Sequence, residues 1–200
     1  MEGVFVVVEG IDGAGTETQS KLLLDYLKKK GHPVERICYP DYDQPLGRLI
    51  HEYLHRKYDF SPEAQVMLYA ADMVKDRDKI NRWLDKGRIV IADRYITSTI
   101  AYQGFRGFPV EKIVKLAELF GLPRPDFVAY LKVSAEASIK RKLKEKNELD
   151  RNEEDGQLLE KLGAFYKKLA EQNVFGKWVV IDGEQPKEKV FEEIIKSVKL

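Results

Sequence analysis

Apolar and polar positions change their period several times along the chain, and each change marks an element. Val4 to Val8 is an unbroken apolar run, mostly β-branched. It lacks alternation and is too short for a helix, as expected of a strand covered on both faces in a parallel sheet. Gln19 to Lys30 has helical spacing, with Leu22, Leu23, Tyr26 and Leu27 on one face and a basic end before Gly31. Val34 to Tyr39 reads as a second strand stopped by Pro40, and Pro45 to Leu54 as a short amphipathic helix. Ser61-Pro62 supplies a cap and a first-turn proline for one longer helix reaching Lys86. Ile89 to Ala92 is a third buried strand, Val110 to Phe120 a helix closed by Gly121, and Phe127 to Val133 a fourth strand. Ser134 caps a lysine-rich helix to about Lys146, Gly156 to Gln172 is a helix, Trp178 to Asp182 a fifth strand, and Pro186 to Val198 a last helix. This order predicts an α/β fold, a five-stranded parallel sheet with helices on both faces.

Composition narrows the picture. With 200 residues and 44% hydrophobic content, residues 1–200 are expected to form a single domain with a complete core. A net charge of +1 gives no overall field, so neither nucleic acid nor an anionic membrane is an expected partner. The lone Cys38 allows no internal disulfide and is expected to be a small buried hydrophobe, and no apolar stretch matches a membrane span or a signal-like start; the expected compartment is the cytoplasm.

The first strand breaks into glycines. Gly10-Ile11-Asp12-Gly13-Ala14-Gly15-Thr16-Glu17-Thr18 has the spacing of a phosphate-binding loop, but that pattern continues Gly-Lys-Ser/Thr, and here Thr16 stands for the lysine and Glu17 for the metal-binding hydroxyl. Backbone amides and a helix N-terminus still favour an anion. The absent ammonium costs charge neutralisation during phosphoryl transfer more than binding. Glu17 adds repulsion unless a metal ion or basic lid offsets it, and Thr18 is the nearest remaining hydroxyl. Asp93-Arg94 follows the third strand at its carboxyl end, where an aspartate can hold a Mg²⁺-bound water and an arginine can fork onto phosphate. Between two helices, Arg141, Lys142, Lys144 and Lys146 lead to Asp150-Arg151, which reads either as a lid over a triphosphate or as a solvated helix face. Tyr69, Tyr102 and Phe105 read as packing, and His51 and His55 as surface residues without a third metal ligand.

Three motifs carry a family resemblance: the Phe-Val-Val-Val-Glu-Gly-Ile-Asp-Gly-Ala-Gly start, Leu68-Tyr69-Ala70-Ala71-Asp72, and Asp93-Arg94-Tyr95-x-x-Ser98-Thr99-x-Ala101-Tyr102-Gln103-Gly104, with Glu148-Leu149-Asp150-Arg151 in addition. The chain resembles the thymidylate kinases, P-loop NTPase-type enzymes that move the γ-phosphoryl of ATP onto dTMP. The resemblance implies a five-stranded sheet with a short lid at about 141–155, Mg²⁺ as cofactor, ATP and dTMP as partners, and a homodimer. It implies that Asp12 meets the sugar 3′-hydroxyl, Arg94 the acceptor phosphate and Asp93 the magnesium shell. Tyr69 would stack on thymine, and Ser98, Thr99, Tyr102 and Gln103 would shape the base and sugar pocket. Arg141 and Arg151 would reach the phosphates from the lid, because the loop carries Gly13 and no arginine. Asp182-Gly183-Glu184-Gln185-Pro186 would lie beside adenine. The chain departs from the family at Thr16 and Glu17, at Met73 where an arginine usually reaches the thymine ring, and at Cys38 where many members carry arginine. A slow enzyme, a kinase for another pyrimidine monophosphate such as dUMP, and a nucleotide-binding protein with little catalysis are the alternatives these departures raise.

Overall fold

A computed structural model describes residues 3–145 and 156–198. The expected strands are β1 (Val4–Glu9), β2 (Val34–Cys38), β3 (Ile89–Asp93), β4 (Phe127–Lys132) and β5 (Trp178–Asp182), all parallel in the order β2-β3-β1-β4-β5. β1 is central, and Phe5 through Val8 are inaccessible to solvent, which accounts for its apolar run. Helices α1 (Thr16–Lys29) and α9 (Lys187–Val198) pack against each other and against the sheet, joined by an edge-to-face contact of Tyr26 with Phe191. The helices in between are α2 (Pro45–Leu54), α3 (Pro62–Val74), α4 (Arg77–Asp85), α5 (Ile96–Phe105), α6 (Val110–Leu119), α7 (Ala135–Glu145) and α8 (Gly156–Glu171).

Two elements differ from the sequence reading. The single helix expected from Ser61 to Lys86 is two, α3 and α4, separated by a turn at Lys75 and Asp76. The Lys75 ammonium lies 3.0 Å from Asp72, 2.8 Å from Asp76 and 3.4 Å from Asp41, and the Tyr39 hydroxyl donates to Asp76 at 3.2 Å. This tertiary ion cluster ties the turn to the loop after β2, and helix propensity yields to it. The second difference is α5, for which the sequence reading placed no element. Its Ile96-Thr97-Ser98-Thr99-Ile100 start is a poor helix former, but most of the helix is buried, so packing supplies the stability.

Glu9, at the end of β1, fixes α5 in place. Its carboxylate is fully buried and accepts hydrogen bonds from the Tyr95 N–H (3.2 Å), the Thr97 hydroxyl (2.6 Å), the Ser98 hydroxyl (2.7 Å) and the Tyr166 hydroxyl of α8 (3.0 Å). The Tyr166 ring stacks on Tyr130 of β4, so one carboxylate joins the sheet to two helices. Burial pushes the Glu9 pKa above its ordinary 4.5, with Arg94 and the three hydroxyl donors pulling the other way.

Two outcomes follow from this packing. Ile91, inaccessible in β3, should cost about 2–5 kcal/mol on replacement by alanine, read as a lower urea midpoint with unchanged slope. Because the folded-state pKa of Glu9 is raised, its stabilising contribution is complete below the unfolded value of 4.5 and is lost as pH rises through the folded value. Wild type should therefore lose stability with rising pH over that window relative to Glu9→Gln; urea midpoints for both across about pH 4 to 7 measure it, and parallel curves contradict it.

Candidate active site

The loop between β1 and α1 turns twice through left-handed backbone, Gly13 at φ 74° and Gly15 at φ 93°, which glycine adopts without strain. Gly15 is the residue before the first turn of α1, so the exposed amides of that turn face the loop. A methyl group on Gly10 would lie 2.6 Å from the Ala14 Cβ and 3.0 Å from the Leu131 carbonyl, and one on Gly13 would lie 2.7 Å from the Ser138 carbonyl of α7. The Ser138 hydroxyl in turn donates to the Asp12 carbonyl at 2.5 Å. Thr16 is buried and packed toward Gly10, while Thr18 is exposed. Glu17 also faces solvent, paired with Lys21 at 2.5 Å; that hydrogen bond is the main cause holding its pKa below the ordinary carboxylate value. Its charge is thus partly met by a neighbour on the same helix.

Asp12 and Arg94 meet across the end of the sheet. Arg94 takes left-handed backbone at φ 64°, which turns its side chain toward the loop: it donates to the Gly10 carbonyl at 2.7 Å and to Asp12 at 2.6 Å. The second Asp12 oxygen accepts from the Tyr102 hydroxyl at 2.8 Å. An arginine in this conformation is uncommon, and such strain concentrates at functional positions.

Beyond this pair opens a cleft of about 620 Å³, open solvent at its mouth included. Asp12, Tyr69, Arg94, Ser98, Thr99, Tyr102 and Gln103 line it together, with Met73, Leu54 and Pro40 as an apolar part of the wall. The sequence reading of Tyr69 and Tyr102 as packing is therefore incomplete, since both present surface to the cleft. Thr99 Oγ1, Gln103 Oε1 and the Tyr95 hydroxyl are buried cleft-lining atoms without a hydrogen-bond partner among the described residues. Buried polar groups of this kind are ordinarily satisfied, so their arrangement suits a polar ligand.

Arg141, in α7, is near the loop and not on a solvated face. It donates to the Gly13 carbonyl (3.3 Å) and the Ala14 carbonyl (3.4 Å), and its other arm donates to the Gly183 carbonyl at 2.9 Å. Arg151 and residues 146–155 of the expected lid lie outside the described residues. Asp93 is buried at the end of β3, where Arg36 of β2 donates to its Oδ2 at 2.7 Å. Cys38, expected to be buried, is exposed: it closes an edge strand, and Tyr39 turns inward after it instead. His51 and His55 stack at 4.0 Å between ring centres, and no group of three acidic, histidine or cysteine side chains suited to a metal occurs among the described residues.

Sequence reasoning passed over Glu9, Arg36, Ser138 and Arg106. Glu9 was legible in principle, because a carboxylate ending a wholly apolar run has little access to water. Arg36 shares a strand face with Cys38 by alternation, so both side chains leave β2 on the same side. Arg106 lines the cleft beside Gln65, and nothing in its local sequence distinguishes it from a surface cation.

Comparison with known proteins bears on this geometry. The family described as Thymidylate kinase matches residues 8–194. A probable thymidylate kinase of Pyrococcus abyssi (strain GE5 / Orsay) is 35% identical over 205 residues, covering 100% of this chain and 97% of its own. A thymidylate kinase of Thermoanaerobacter sp. (strain X514) is also 35% identical, at 100% and 98% coverage, and a probable thymidylate kinase of Thermococcus kodakarensis is 36% identical at 96% and 95%. Similarity of this extent, added to a phosphate loop, an arginine fastened to it and the cleft beyond, makes the chain a member of the thymidylate kinase family.

Proposed function

We propose that the protein transfers the γ-phosphoryl group of ATP to the 5′-phosphate of dTMP, giving ADP and dTDP. The observation that carries this reading is Arg94, anchored to the Gly10 carbonyl and to Asp12 where the loop meets the cleft. A guanidinium held there forks onto an acceptor phosphate while backbone amides of the loop hold the donor, so the two phosphates are brought into line without a covalent intermediate. Asp12, oriented by Arg94 and Tyr102, accepts from the sugar 3′-hydroxyl, and Tyr69 lies against the base. The apolar wall containing Met73 and Leu54 suits the thymine methyl group. Arg141 sits where a lid cation would cover the outer phosphates, and residues 141–155 are the proposed lid.

The hard oxygen donors of Asp93, at the end of β3, fit Mg²⁺, which takes few protein ligands and completes its shell with water and substrate phosphates. Asp93 would hold it through water, with Oδ1 the oxygen not engaged by Arg36. Bound there, the ion would neutralise charge on the β- and γ-phosphates. Among the described residues no helix is long and apolar enough to cross a membrane. We place the reaction in the cytoplasm, where ATP is supplied and a lone thiol such as Cys38 stays reduced, and we propose a homodimer.

A panel of nucleoside monophosphates assayed with ATP by coupled ADP release, with chromatography of the products, tests the function. The expected product is dTDP, with dTMP preferred over dUMP by about 10-fold or more, the usual worth of one methyl group in an apolar pocket. ADP release without dTDP, or a preference for dUMP, contradicts the proposal. Arg94→Ala should lower kcat by about 10²–10³, comparable to losing one preorganised donor at a developing charge.

A further inference from the structure

Arg36, in edge strand β2, is turned away from solvent, as edge strands sometimes hold their charges. Its side chain is only 15% exposed, with Nη2 donating to Asp93 at 2.7 Å and Nε donating to the Ser20 hydroxyl at 2.9 Å. Ser20 lies in α1 and itself donates to the Glu17 carbonyl at 3.0 Å. The guanidinium is therefore braced between the opening turns of the phosphate-loop helix and the aspartate at the end of β3. Asp93, 7% exposed, needs a cationic partner in any case. That need accounts for one arm of the guanidinium; Nη1 has no hydrogen-bond partner among the described residues.

The same neighbourhood lacks two cations, with Thr16 in the loop and Cys38 beside the inward-turning Tyr39. Arg36 and Cys38 are two apart on one strand and share its face, and Cys38 is level with Asp93 in the sheet. A transferring phosphoryl group needs charge neutralisation more than any particular carrier of it, and an arginine presents donors in a fixed plane.

We infer that Arg36, reaching across from β2 to Asp93 and Ser20, supplies the positive charge that Thr16 does not, so that this phosphate loop is served by a cation from the neighbouring strand. The inference rests on the kinase reading above and adds to it the residue that makes the lysine-free loop workable. It acts on the polyphosphate, not on the nucleoside of the acceptor. The dependence on dTMP concentration should therefore be left almost unchanged.

A double-mutant cycle separates this role from simple bracing of the strand. Wild type, Arg36→Gln, Thr16→Lys and the double variant would be compared for dTDP formation and, by calorimetry, for binding of ATP and of AMP. Arg36→Gln is expected to lower kcat by about 10²-fold with KM for dTMP within about 3-fold, the loss typical of one electrostatic donor. It should weaken ATP binding by about 10-fold and AMP binding far less, since one charge on the polyphosphate is at stake. Adding Thr16→Lys should recover at least about 10-fold of the lost rate, because the two cations serve one purpose and their effects are not additive. Arg36→Lys, which keeps the charge and loses the fork, should fall between wild type and Arg36→Gln. Equal loss on removing Arg36 in both backgrounds, or equal weakening of ATP and AMP, overturns the inference and leaves Arg36 as a strand brace. Should wild type form no dTDP at all, the acceptor reading fails while the ATP and AMP comparison still judges Arg36.

Discussion

A buried carboxylate is costly unless every lone pair is met, and Glu9 meets that demand by drawing donors from α5 and α8 onto the end of β1. The position of the site depends on that requirement. Ser98 and Tyr95 belong to the turn that begins α5, so satisfying Glu9 also sets the direction of Arg94, one residue earlier, and of Tyr102 and Gln103 further along the same helix. The cleft wall is thus specified from inside the sheet. A leucine at this position would leave the turn after β3 without its anchor, and Arg94 could not be expected to hold its uncommon backbone conformation unaided.

Charge in the site is arranged in pairs taken from different elements. Asp12 of the loop is met by Arg94, Asp93 of β3 by Arg36 of β2, and Glu17 by Lys21 along one helix. Arg141 arrives from α7, and its hydrogen bonds among the described residues run to backbone carbonyls. Such a distribution differs from a loop with its own lysine, where one flexible ammonium serves the phosphates directly. Here the cations are held by carboxylates or carbonyls before any nucleotide arrives. Part of the cost of ordering them is met during folding rather than during binding.

The strands were legible because continuous apolar runs such as Val4–Val8 and Ile89–Ala92 have one reading only, a ribbon covered on both sides. Thr16 and Glu17 were legible as departures because the glycines around them fix the register of the loop. What escaped was stabilised from a distance. The α3–α4 break preserves apolar spacing, and only the approach of Asp41 and Tyr39 to Lys75 and Asp76 reveals it. Helix α5 has threonines and β-branched residues at its start, and its stability comes from being buried. Arg36 occupies an alternating position on β2, and its partners Ser20 and Asp93 belong to two other elements. Cys38 was misplaced because an apolar run does not say at which residue an edge strand stops facing the core.

Gly13 has one more implication. Helix α7 lies so close to its backbone that a β-carbon there would strike the Ser138 carbonyl. Any larger residue at that position would push away the very segment that brings Arg141 over the loop. Intimate docking and a loop-borne arginine are therefore mutually exclusive occupants of the same few ångströms. By keeping hydrogen at this point the chain leaves room for α7 to dock and for Arg141 to reach the loop from a separate element.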